Sequence, residues 1–187
     1  MSETRPGDWC MLDDERPVMA RLDALGIRTE RYGHPPIASS ADADAHWRDI
    51  DAVHCKNLFL RNQAGTRHYL VILPAHARAD LRRVAHDVGD GKLSFGSADR
   101  LARYLCVRPG SVSPFGLIHD TERHVRVYVE RTLQQAARVS FHPNINTRTL
   151  VLEASAFLRY LASTGHAVAF IDVVQREGDR SSDVQDK

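Results

Sequence analysis

Apolar positions along the chain follow two rhythms. In "DDERPVMARLDALG" an acidic start precedes Val18, Met19, Leu22 and Leu25 at helical spacing, and Gly26 supplies a stop. "ARADLRRVAHDVG" and "SADRLARYLCV" repeat that pattern, the second with Ser97 as N-cap, and "EASAFLRYLASTG" predicts a helix ended by Gly165. "SSADADAHWRDI" opens on good N-cap residue types and carries a small apolar face of Trp47 and Ile50. The second rhythm is that of strands. "NLFLRNQAGTRHYLVILPA" reads as two apolar runs around Gln63–Thr66, a β-hairpin. "IRTERYG", "LIHD", "VRVYVE", "ARVSF" and "HAVAFIDV" are further strand candidates. Hairpins and helices mix without a regular βαβ rhythm. The pattern predicts an α+β single domain with a curved mixed, mostly antiparallel sheet flanked by helices.

The pattern also divides the chain. One domain spans 17–174, behind an N-terminal segment 1–16 and ahead of a tail, 175–187, whose only apolar residue is Val184. That tail is expected to be flexible. With 187 residues the chain is long enough for one sizeable core.

Composition narrows the function classes. Hydrophobic residues make up 43% and charged residues 26%, ordinary values for a globular protein. There is no 18-residue apolar run, and the N-terminus lacks the apolar stretch of a signal peptide. The expectation is a cytoplasmic protein with no membrane partner. A formal net charge of +1 excludes non-specific coating of nucleic acid, and DNA with it, but leaves room for a few phosphate contacts. Arg78, Arg82, Arg83, Arg100 and Arg103 are candidates for those, although solvated helix faces are the plainer reading. Cys10, Cys55 and Cys106, odd in number and widely spaced, argue against a disulfide framework and against a CxxC metal site. Cys106 is expected to be a buried thiol. The ten histidines show no HExxH spacing and no Cys or carboxylate cluster, so no metal is expected and most should be surface or capping residues. No GxGxxG or GxxxxGK[ST] loop is present, so no cofactor is expected.

Three stretches stay chemically interesting. "GSVSPFG" resembles a nucleophile elbow, yet Ser113 is followed by Pro114 and Ser111 directly follows Gly110, so it is not GxSxG. Within "RPGSVSPFGL" the loop Gly110, Ser111, Val112, Ser113, Pro114 is either a surface turn or a stiff loop whose N–H groups face a ligand carbonyl. In "AVHCKNLFL", Lys56 and Asn57 stand at the front of an apolar run. They are either solvated or a cation and a carboxamide at the mouth of a cleft. "HPNINTRTL" places His142, Pro143 and Asn144 in a short polar connection, which is an ordinary turn, a metal site or a pocket wall.

Lys56-Asn57 before a strand, a G-x-x-x-P loop at Gly110 to Pro114, and "SFHPNINTRTLVL", in that order, resemble the YbaK/prolyl-tRNA-synthetase-associated editing domain family. Within it the likeness is greatest to freestanding alanyl-tRNA(Pro) deacylases, and it covers roughly residues 17–174. The resemblance implies trans-editing. Alanine fits inside a synthetase pocket shaped for proline, so a second hydrolytic sieve is needed. It further implies functional roles for Lys56, Asn57, Gly110 and His142, with Ser111, Val112, Ser113, Pro114, Pro143 and Asn144 lining the substrate site. The implied partner is the acceptor end of aminoacylated tRNA(Pro), with prolyl-tRNA synthetase or an elongation factor as transient partners. A deacylase of the same fold acting on another mischarged tRNA, such as cysteinyl-tRNA(Pro), and a non-catalytic tRNA- or protein-binding module are the rival readings.

Overall fold

The computed structural model describes residues 12–36 and 46–172. The expected tail, most of the N-terminal segment and most of the expected helix at "SSADADAHWRDI" lie outside these residues. In chain order the described elements are α1 (Arg16–Ala24), β1 (Glu30–Gly33), β2 (Val53–Asn62), β3 (His68–Pro74), α2 (Leu81–Asp87), β4 (Leu93–Phe95), α3 (Ala98–Leu105), β5 (Val125–Glu130), β6 (Arg138–Phe141), β7 (Arg148–Glu153), α4 (Ala154–Ser163) and β8 (Val168–Ile171). Short 3-10 turns occupy Pro114–His119 and Arg131–Gln135.

The strands form one sheet in the order β1-β7-β6-β2-β3-β5-β8, with β4 paired to β2. Pairs β1–β7, β2–β3, β2–β4 and β6–β7 are antiparallel; β2–β6, β3–β5 and β5–β8 are parallel. The α+β expectation with a mixed sheet therefore holds. The unbroken apolar run "HYLVILP" marks its middle: all seven residues of β3 are buried, as a strand covered on both faces must be. Leu70 and Ile72 pack into one core with Val18, Leu22, Leu101, Leu105, Phe157 and Tyr160, from α1, α3 and α4. Tyr69, Val71 and Leu73 point the other way, into a smaller core with Val84 and Ala85 of α2.

One feature of this sheet prepares a site. On the edge away from β3, β2 pairs with β6 only at Val53 and His54, and with β4 only from Leu60 to Asn62. Between those contacts, 55–58 have a strand on one side alone. The sheet is interrupted there, and loops approach in its place.

Several expectations need correction. "LIHD" is no strand: Leu117 to His119 belong to the 3-10 turn Pro114–His119. Ser113 Oγ caps that turn by accepting from Phe115 N–H at 3.1 Å, and Pro114 at its first position presets φ. Gly116 lets the turn lie directly on α3, because a Cβ there would sit 2.7 Å from Leu105 O. Cys106 is buried, as expected, but is disulfide-bonded rather than a thiol, while Cys55 is free. The histidines are not mostly superficial either. His68 and His166 are buried, and His34, His54, His119 and His142 are half-buried. His68 meets Arg100, and His166 meets Thr164 and Asp120, bonds that offset the cost of burial.

Candidate functional site

Lys56 and Asn57 lie inside β2, not at its front, because the strand begins at Val53. Alternation then sends their side chains to opposite faces. Asn57 stands across from Ile72 and shares the larger core's face; Lys56 stands across from Leu73 on the other. Asn57 Nδ2 donates to Val112 O at 2.9 Å, which ties the Gly110–Pro114 loop to the interrupted edge. Asn57 Oδ1 is buried and has no hydrogen-bond partner. Lys56 Nζ donates to Ala77 O, and burial pushes its amine below the usual lysine range, with Arg78 adding to the effect.

The loop is stiff for local reasons. Gly110 adopts φ +88°, a left-handed conformation that suits glycine. Ser111 N–H donates to Arg108 O at 3.0 Å and closes the turn, so that N–H is committed. Ser111, Ser113 and Pro114 are buried, and Val112 is half-buried. Ser113 is a helix cap, not a nucleophile.

His142 to Thr147 turn out to connect β6 and β7, an antiparallel pair with Phe141 opposite Leu150. "HPNIN" is thus a hairpin loop as well as a candidate wall. His142 Nδ1–H donates to Arg148 O at 2.7 Å, across the loop. That bond fixes the tautomer, leaving Nε2 with its lone pair. Burial lowers the His142 pKa below the ordinary imidazole value and His34 adds to the lowering, while the bond to Arg148 O opposes it. The ring is held neutral at neutral pH. Pro143 is buried, and Asn144 follows at φ +63°, a conformation asparagine tolerates. The Asn144 side chain is 1% exposed, yet neither Nδ2 nor Oδ1 has a partner. A buried carboxamide without partners costs about 1–3 kcal/mol per atom, which marks Asn144 as a candidate contact for a polar group. A Cβ on Gly110 would lie 3.7 Å from Asn146 Nδ2, so the two loops touch.

The structure therefore brings together Asn57, the Gly110–Pro114 loop and the His142–Asn144 loop, and sets Lys56 beside them on the opposite face. Of the arginine candidates, Arg100 is internal: Nη1 donates to His68 Nε2 at 2.6 Å and to Gly65 O at 2.9 Å, clamping the β2–β3 hairpin. Arg103 lies over the Tyr104 ring at 5.4 Å. Arg78 and Arg82 are exposed. Two clefts, of about 690 and 450 Å3, lie elsewhere and include none of the motif residues. Among the described residues no three His, Cys, Asp or Glu side chains form a metal-ligand cluster.

Sequence reasoning missed the rings beside His142. His34 lies 5.5 Å from it and Trp47 6.5 Å; Trp47 stacks on His54 at 4.5 Å and 6°. Thr149 Oγ1 bonds His34 Nε2 at 3.0 Å and accepts from Trp47 Nε1 at 3.4 Å. The high histidine count was the one available signal, and spacing could not reveal who meets whom.

An interrupted strand edge flanked by two stiff loops, with the buried carboxamides of Asn57 and Asn144 and the His142 imidazole on those segments, is the candidate site of this α+β domain. The aminoacyl-tRNA editing domain model matches residues 34–160, and the chain belongs to that family. It is 34% identical over 164 residues to the prolyl-tRNA editing protein ProX of Acetoanaerobium sticklandii, covering 87% of this chain and 99% of that one. It is 30% identical over 150 residues to prolyl-tRNA synthetase associated domain-containing protein 1 of Bos taurus, covering 78% and 87%. Among solved structures, one described as a candidate trans-editing enzyme for prolyl tRNA synthetase shares the fold. The TM-score is 0.64 at 19% identity, covering 94% of this chain and 100% of that one.

Proposed function

We propose that the chain is a trans-editing aminoacyl-tRNA deacylase of the cytoplasm that hydrolyses mischarged alanyl-tRNA(Pro). The observation that carries this reading is the convergence of Asn57, the Gly110–Pro114 loop and the His142–Asn144 loop at the open edge of β2. Membership of the editing family and the likeness to a prolyl-tRNA editing protein support it.

The chemistry asked of the protein is modest, because an aminoacyl ester is already activated. Water adds to the acyl carbon, the bond to the ribose oxygen breaks, and that oxygen takes up a proton. Free alanine and tRNA result. Asn57 and Asn144 hold the aminoacyl group in place. Loop N–H groups other than that of Ser111 stabilise the developing oxyanion. His142 Nε2 accepts from the ribose hydroxyl or the attacking water. Lys56, on the other face of β2, holds the terminal phosphate, so that phosphate and ester are gripped from two sides of one strand.

Specificity follows from rigidity. Proline is larger than alanine, and overpacking a stiff site costs roughly 1–3 kcal/mol, or about ten- to a hundredfold in rate. Pro143 and the loop from Gly110 to Pro114 give the pocket little room to expand. The test is a hydrolysis assay with alanyl-, seryl-, cysteinyl- and prolyl-tRNA(Pro). Alanyl-tRNA(Pro) should be cleaved fastest, seryl-tRNA(Pro) more slowly and prolyl-tRNA(Pro) very little. Equal rates on alanyl- and prolyl-tRNA(Pro) would overturn size exclusion. A preference for the cysteinyl substrate would replace alanine as the target, and no hydrolysis of any would leave a binding module.

A further inference from the structure

The rings around His142 form a constellation that the deacylation scheme does not use. His34 lies 5.6 Å from His46, at 28°, and 5.5 Å from His142. Trp47 lies 6.5 Å from His142 and is half-buried. The polar edges of His34 and Trp47 are engaged, and so is Nδ1 of His142. His34 Nδ1–H donates to Pro35 O at 2.8 Å, and its Nε2 accepts from Thr149 Oγ1–H. Trp47 Nε1–H is directed at the same oxygen, and His142 Nδ1–H at Arg148 O. His54, which stacks on Trp47, meets Ser140 Oγ at 2.6 Å.

With those edges spent, what Trp47 offers a ligand is the π face turned away from His54. None of the rings carries a fixed charge, so a phosphate gains little there, whereas a flat heterocycle stacks well. The position suits one occupant. A group held by His142 through the ribose hydroxyl carries its base one sugar away, a reach comparable with the 5.5 and 6.5 Å that separate His142 from His34 and Trp47.

We infer that His34, His46 and Trp47 form a stacking subsite for the terminal adenine base of the acceptor end. The inference rests on the deacylase reading for its ligand, and its test separates the two. In a Trp9→Phe background Trp47 is the sole tryptophan. Adenosine 5′-monophosphate should quench its fluorescence saturably, and ribose 5-phosphate should not. With alanyl-tRNA(Pro), Trp47→Leu should raise KM about tenfold with kcat within about twofold, whereas Trp47→Phe stays near the wild type. Removing the terminal base from the substrate should raise KM for the wild-type protein by a similar factor and add nothing in Trp47→Leu. The abasic substrate needs no variant, so a misfolded Trp47→Leu protein does not blunt the test. Hydrolysis by the wild type without quenching, or without sensitivity to the terminal base, overturns the stacking subsite. Quenching by the nucleotide without hydrolysis of any mischarged tRNA upholds the subsite and overturns the deacylase reading instead.

Discussion

Asn57 Nδ2 donates to Val112 O at 2.9 Å, a bond between residues 55 positions apart that fixes the Gly110–Pro114 loop against the unpaired edge of β2. The same side chain keeps its Oδ1 buried and unspent. Asn57→Ala therefore removes both a tether and a ligand contact. Hydrolysis of alanyl-tRNA(Pro) under single turnover should fall by about a hundredfold, while thermal stability drops by about 1 kcal/mol. Full activity in a folded variant would exclude this residue from the site.

In the proposed scheme Lys56 meets the terminal phosphate and not the ester. Lys56→Ala should raise KM more than it lowers kcat and should leave the circular dichroism spectrum unchanged. Binding should also show a shallow salt dependence, with a slope of about −0.7 to −0.9 per phosphate contact. That slope should lessen by one contact in the variant. A wild-type slope implying ten contacts, or wild-type turnover in Lys56→Ala, would contradict the assignment.

Gly116 is a packing constraint. The Cβ of an alanine would come within 2.7 Å of Leu105 O and 2.8 Å of Leu105 Cβ, neither of which can swing away. Gly116→Ala should destabilise the protein by about 1–3 kcal/mol, seen as a lower urea midpoint. Gly89 serves as the contrast: its φ is +68°, but an added Cβ would meet nothing within 4 Å, so Gly89→Asn should cost little. Equal stability of Gly116→Ala and wild type would refute the close approach.

Acid should weaken the fold before the carboxylates titrate. Burial, and then the Arg100 guanidinium, push His68 down to about 4, because its Nε2 must accept from Arg100. The unfolded chain binds that proton near the ordinary imidazole value of about 6.5. Stability from His68 is therefore fully present above that value and is lost as pH falls toward 4. Between pH 7 and 5 the unfolding free energy should drop by on the order of 1–2 kcal/mol, part of which His68→Gln should abolish. Asp120 acts later. Burial alone would raise its pKa, but bonds from His166 and from the Val125 and His124 N–H groups outweigh this and hold it below the usual carboxylate range. Its contribution goes only in stronger acid. A urea midpoint that is flat from pH 7 to 5 would refute the His68 account.

Local rules sufficed for much of this protein. Ser97 caps α3, Gly165 follows α4, and the run around Gln63–Thr66 is a hairpin, because caps, periodicity and turn chemistry act within a few residues. The three motifs were legible in the same way, as short strings in order. Their roles were not. That Lys56 and Asn57 face opposite sides followed only once the strand was seen to start at Val53. That β2 is left open at 55–58 depends on where β6 and β4 stop, and β6 lies far along the chain. Arg100 looked like a surface cation until β2–β3 folded over it, and His34 met His142 only through the pairing of β1 with β7 and β7 with β6. Periodicity and caps are set by neighbours along the chain, whereas a strand's second partner and a ring's contacts are set by sheet order, which no local pattern encodes.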